Sequence, residues 1–331
     1  MVEGTAGYGG PPRIEGLKIA FLFPGQGSQA VGMGRAFAES SPGARDRFAA
    51  ADAALGMALS RLCFEGPLGE LTRTANAQPA VLTASIVAAE ALAAAGIRPD
   101  LAAGHSLGEY SALVVAGALD FVDAVCIVRA RGTFMQEAVP EGQGAMAAVL
   151  GAPATAVRDA CAEAEQAGLG VVDLANLNAP DQTVISGDAA AVDRAAALCL
   201  DRGARRAVRL QVSAPFHCRL LQPAAERLVE VLGGIRMAPL RVPVVRNVDA
   251  EPMTDPSEVV PSLVRQVCAP VLWEPSVRRL FKEGVEAFIE VGPGKVLAGL
   301  VKRIAPGAVV YTVEDPGGVR AVGEALANAG R

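Results

Sequence analysis

Gly104-His105-Ser106-Leu107-Gly108 satisfies GxSxG, the pattern in which flanking glycines let a serine hydroxyl project from a tight strand-to-helix turn. A glycine-rich chain also meets this pattern by chance, so its weight comes from its position. Residues 100–103 read as a short strand and residues 107–116 as a helix, which places strand, turn and helix together at Ser106. A serine becomes nucleophilic near neutral pH only beside a base, usually histidine. The chain has two histidines. His105 adjoins Ser106, where consecutive side chains diverge, so it suits a role orienting the turn through a polar partner. His217 is left as the candidate base, in the loop Ser213-Ala214-Pro215-Phe216-His217-Cys218.

Pro24-Gly25-Gln26-Gly27-Ser28-Gln29-Ala30 formally fits the dinucleotide fingerprint GxGxxA. That fingerprint needs an acid about 20 residues on at a strand end, whereas Asp46 and Asp52 lie in an Ala-rich helical stretch. The glycine loop instead suits backbone N–H donors for an oxyanion, beside the N–H of Leu107. Arg129 and Arg131 share a helix over residues 123–136, and a guanidinium from either one facing a cleft would bind a carboxylate in bidentate fashion. Arg202, Arg205, Arg206 and Arg209 form a basic cluster near the end of a predicted strand.

The elements that must position these groups follow a strand-turn-helix rhythm: strands over residues 18–23, 100–103, 242–248 and 287–291, with Ala-rich helices between. Residues 145–212 break that rhythm with the order βαββαβ, the ferredoxin-like pattern. The fold class expected is α/β, a hydrolase-like core with a parallel sheet and an inserted ferredoxin-like subdomain. Residues 1–16 read as a flexible leader, 17–141 and 213–331 as the large core, and 142–212 as the insert. A length of 331 residues accommodates both units.

Aromatic residues make up 4% of a chain that is 51% hydrophobic, so the core should be aliphatic. Six widely spaced cysteines without a CxxC pair read as reduced thiols of a cytoplasmic protein. With two histidines and no paired thiols, no metal is expected. The net charge of −5 argues against non-specific nucleic-acid binding, and charged residues interrupt every long apolar run, so no membrane span is expected.

Six segments in order, FPGQGSQ (residues 23–29), GHSLGEYSAL (104–113), RGTFMQEAVPEGQGAM (131–146), NLNAPDQTVISG (176–187), PFH (215–217) and VGPGKVLAGL (291–300), closely resemble the malonyl-CoA:acyl carrier protein transacylases. The resemblance implies transfer of malonyl from malonyl-CoA to the phosphopantetheine thiol of acyl carrier protein by a ping-pong route, in a monomer without bound cofactor. It implies Ser106 as nucleophile, His217 as base, Gln26 and Leu107 as oxyanion-hole residues, and Arg131 rather than Arg129 as the carboxylate clamp. Gln266 matches the residue whose main-chain carbonyl orients the histidine, in place of a triad acid. Asn176 and Asn178 match asparagines near the elbow as partners for His105, and Gln78 matches a substrate-side position. Phe216 matches the position where phenylalanine accompanies malonyl and serine methylmalonyl, a steric preference worth about 1–3 kcal/mol.

Competing readings are a freestanding acyltransferase serving a polyketide assembly line, an acyl hydrolase using the same dyad, and a non-catalytic docking module whose basic cluster binds an acidic partner.

Overall fold

The computed structural model describes residues 17–329; the leader expected over residues 1–16 lies outside them. The strands are β1 (Ile19–Phe23), β2 (Leu101–Gly104), β3 (Gly144–Leu150), β4 (Val172–Ala179), β5 (Gln182–Asp188), β6 (Arg206–Arg209), β7 (Val244–Val245), β8 (Pro252–Met253), β9 (Ala287–Val291) and β10 (Val309–Val313). Six form one sheet in the order β10-β9-β1-β2-β7-β8, parallel throughout except for β8. In β1 and β9 every residue is buried, as expected of parallel strands covered on both faces.

The other four strands form an antiparallel sheet ordered β4-β5-β3-β6, with helices Ala154–Gln166 and Ala189–Asp201 on one face. Alternation along β3 divides its side chains between two cores. Ala145, Ala147 and Val149 join the helices, while Met146 and Ala148 join a second cluster that reaches Phe216. The second face of the four-stranded sheet therefore looks toward the loop that carries His217.

Main-chain bonds tie the smaller sheet to a segment outside it. Val271 N–H donates to Ala175 O and Leu177 N–H to Val271 O, both at 2.9 Å, so β4 forms a parallel bridge to the segment before helix Trp273–Lys282. Trp273, the chain's one tryptophan, is fully buried directly after that bridge, its ring 5.6 Å from that of His105.

Helix Thr74–Ala94 is long and apolar enough to cross a membrane by composition even with Glu90 interrupting its apolar run, yet most of it is buried in the largest apolar cluster. Two strands are shorter than predicted. The last strand of the βαββαβ block, expected to run to residue 212, closes at Arg209, with one further bond from Leu210 N–H to Met146 O, because β6 is an edge strand whose exposed continuation leaves the sheet. The strand expected over residues 242–248 narrows to β7, because Arg246 and Asn247 turn away to bond Glu251 and the serine elbow.

Trp273→Ala should lower the unfolding free energy by about 3–5 kcal/mol, the usual cost of emptying a large buried aromatic site. Urea denaturation followed by far-ultraviolet circular dichroism measures it, and a loss below about 1 kcal/mol would show that the junction does not depend on this ring.

Candidate active site

Ser106 and His217 each hold a left-handed backbone, at φ 52° and 60°, a conformation that costs a non-glycine residue about 1–3 kcal/mol. The serine elbow follows from close packing. A Cβ on Gly104 would lie 1.9 Å from Gly108 C, and one on Gly108 would lie 2.0 Å from Phe23 O, so only glycines allow helix Gly108–Val115 to rise so close to β1 and β2. The hydroxyl therefore stands beyond the carboxyl ends of adjacent parallel strands, where open α/β sheets bind ligands.

Ser106 Oγ donates to His217 Nε2 at 2.7 Å, and His217 Nδ1 donates to Gln266 O at 2.9 Å. A carbonyl only accepts, so Nδ1 carries the proton and Nε2 is left with its lone pair toward the serine. No carboxylate touches the ring among the described residues. Burial first, and then the Arg131 charge, push the His217 pKa down to about 3, so the imidazole stays neutral through the physiological range.

Arg131, on helix Phe121–Glu137, is 2% exposed. Its guanidinium donates to Gln78 Oε1 at 2.9 Å, to Gln266 Oε1 at 2.9 Å and to Ser106 Oγ at 3.1 Å, and lies 5.4 Å from the Tyr110 ring centroid. All three acceptors are uncharged, and among the described residues no acid pairs with this arginine. Arg129 instead bonds Ala75 O and Asn76 Oδ1 at the start of helix Thr74–Ala94, a structural attachment.

A cleft of about 180 Å³ opens over these groups, bordered by Gln26, Leu107, Asn176 and Phe216 among others. The backbone N–H groups of Gln26 and Leu107 have no protein acceptor among the described residues, so both can serve a ligand. His105 donates from Nε2 to Asn178 Oδ1 at 2.8 Å, while Asn176 lines the cleft without bonding His105. The basic cluster is largely neutralised within the chain: Arg202 pairs with Glu163, Arg205 with Asp181 at 2.8 Å and Arg209 with Asp193 at 2.6 Å.

Asn247 and Glu109 were not anticipated. Asn247, fully buried, accepts Ser106 N–H at 2.7 Å and donates to Gly104 O at 2.7 Å, clamping the elbow from both sides. Glu109, the residue after GxSxG, has a fully buried carboxylate that accepts from Asn247 N–H and Gln266 Nε2. Glu109 stands directly after GxSxG at the start of a helix, where an acid is ordinary, so its burial was not readable from the sequence. Asn247 carried no signal either, since it falls beside Arg246 at the end of a predicted strand, with no motif around it.

The chain matches the family described as acyl transferase domain over residues 20–309. It is 52% identical over 299 residues to the malonyl CoA-acyl carrier protein transacylase of Bacillus subtilis, covering 90% of this chain and 94% of that protein. Against the Escherichia coli K12 protein of the same name it is 48% identical, covering 92% and 98%. Among solved structures, the transacylase from Coxiella burnetii superposes with a TM-score of 0.91 at 40% identity, covering 94% and 98% of the two chains. A malonyl-transacylase in complex with a type II PKS acyl-carrier protein superposes at 0.90 with 42% identity, covering 93% and 99%.

In a pH titration by NMR, the His217 ring should keep its neutral-form shifts from about pH 8 down to about pH 5. A transition centred near the ordinary 6.5 would show that burial and Arg131 do not control the ring.

Proposed function

The chain belongs to the acyl transferase family, among the malonyl-CoA:acyl carrier protein transacylases, and we propose that Ser106, His217 and Arg131 divide the work of its malonyl transfer. The observation that carries the assignment is the Arg131 guanidinium, buried without an acidic partner 3.1 Å from Ser106 Oγ. A buried cation whose direct hydrogen-bond partners are all neutral, with the Glu109 carboxyl held off behind Gln266, favours a ligand that brings a carboxylate to the reacting hydroxyl, as malonyl does and acetyl does not.

In the proposed course His217 Nε2 takes the Ser106 proton as the oxygen attacks the thioester carbonyl. The Gln26 and Leu107 N–H groups receive the oxyanion. Collapse expels the coenzyme A thiolate, which takes the proton from His217, and leaves malonyl on Ser106. The carrier protein's phosphopantetheine thiol then gives its proton to His217, its sulfur takes the acyl group, and Ser106 regains a proton. Gln266 orients the imidazole through its carbonyl, Gln78 steadies the clamp, and Asn178 fixes His105 beneath the elbow. Phe216, half-buried beside His217, narrows the space for an α-branch. These steps call on no bound cofactor, and the six free thiols support a cytoplasmic setting. Likeness to a transacylase held by a polyketide carrier supports a second carrier class, so fatty-acid and polyketide carriers belong side by side in the assay.

Malonyl-CoA should add one malonyl group to wild type by intact-mass spectrometry and none to Ser106→Ala; a label persisting in the variant would refute the nucleophile. Arg131→Ala should reduce the malonyl-over-acetyl preference in kcat/KM by at least about tenfold, given about 1.5–3 kcal/mol for a charged hydrogen bond. An unchanged preference would remove the clamp role. Release of free malonate in place of carrier-bound malonate would identify a hydrolase.

A further inference from the structure

Glu109 lies one residue away from every reacting group. Its Oε2 accepts Asn247 N–H at 3.0 Å and Gln266 Nε2 at 2.8 Å, and its Oε1 receives Ser262 Oγ at 3.5 Å. Asn247 holds the Ser106 N–H. Gln266 holds the rest: Nε2 also donates to Ser106 O at 3.0 Å, Oε1 accepts from Arg131, and the main-chain oxygen accepts from His217. Because a carboxylate can only accept, Glu109 dictates that the Gln266 amide turns its nitrogen inward and its oxygen toward the clamp. Without that constraint the amide could reverse and point N–H groups at the guanidinium.

A charge problem accompanies this geometry. When His217 takes the serine proton, an imidazolium forms in a buried place already occupied by the Arg131 cation, and its other N–H rests on a neutral carbonyl. The malonyl carboxylate answers Arg131 and the oxyanion rests on the Gln26 and Leu107 N–H groups, which leaves the far side of the imidazolium facing Gln266, the residue that Glu109 holds. Resting on the reading of Ser106 and His217 as the reacting pair, we propose that Glu109, ionised, is the positioning residue of the dyad: it fixes Gln266 against both Arg131 and His217, and offsets the positive charge while the proton moves. The proton passes from Ser106 Oγ to His217 Nε2 and back; Glu109 takes none.

The groups that set its ionisation come from several elements. Burial, joined by Asp249 from the turn after β7, pushes the carboxyl up to about 7, while Gln266 and Asn247 by hydrogen bonds and Arg131 by its charge pull against that rise. Tyr110, its neighbour in the chain, is a neutral phenol there, its own pKa pushed up to about 12 by burial. An acid in this range is ionised above about 7, so acylation should rise with pH through that value. His217, neutral down to about 3, cannot supply that limb.

Glu109→Gln isolates the charge. An amide oxygen in the Oε2 place can still accept both N–H groups, and the amide nitrogen meets Ser262 Oγ, which accepts. Single-turnover acylation by malonyl-CoA, quenched and read by intact mass from about pH 5.5 to about pH 8.5, tests the idea. Wild type should show a limb near 7. Glu109→Gln should lose the limb and, at the alkaline end, acylate about tenfold more slowly with an unchanged KM. A variant that keeps the limb, or that loses only KM, overturns the proposal; so does a pH-independent wild type, whether or not the variant folds. A wild type that forms no acyl-enzyme at any pH would instead refute the transfer reading on which the proposal rests.

Discussion

A hydrogen bond of 2.7 Å joins Ser106 to His217 across 111 residues of sequence, and each of those residues occupies a backbone conformation that its side chain disfavours. Neither loop would hold that conformation alone, because each left-handed residue costs about 1–3 kcal/mol that something nearby must offset. Asn247 and Gln266 do so for the elbow, bonding the carbonyl of Gly104 and both the N–H and the carbonyl of Ser106. For the histidine the same Gln266 supplies the carbonyl that fixes the ring. The site is thus over-determined by fully buried polar groups, where each satisfied bond is worth more than at the surface and each unsatisfied one would cost about 1–3 kcal/mol.

That density of polar contacts also explains how a bare guanidinium survives in an apolar interior. Three neutral oxygens and an aromatic face solvate Arg131 without neutralising it. Burial pulls its pKa down, and the nearby Tyr110 and Glu109 act against the fall. An ion pair made directly with Glu109 would have quenched the cation and removed its use for a ligand. Gln266, inserted between the two charges, keeps them apart while linking them by hydrogen bonds.

Legibility in the sequence followed locality. Gly104 and Gly108 marked the elbow because close backbone approach leaves no alternative residue, and that signal sits within five positions. His217 emerged by elimination, since the chain has only two histidines. Arg131 and Arg129 were indistinguishable on helical spacing; only the resemblance separated them, and the structure then placed one in the cleft and the other against a helix start. The βαββαβ order was readable from periodicity and corresponds to the strand order β4-β5-β3-β6. Strand lengths were not, because β6 and β7 end where tertiary bonds, not residue preference, redirect the chain. Asn247 and Glu109 stayed hidden for a related reason: a buried polar residue has no periodic signature, and its partners lie 138 positions apart in the chain.

The main-chain bridge between Ala175, Leu177 and Val271 ties β4 to the segment that leads into helix Trp273–Lys282. Parting the chain at this point would break both bonds and disturb the buried Trp273. A cleft of about 180 Å³ framed in this way suits cargo carried on the end of a long slender tether, threaded inward to the serine.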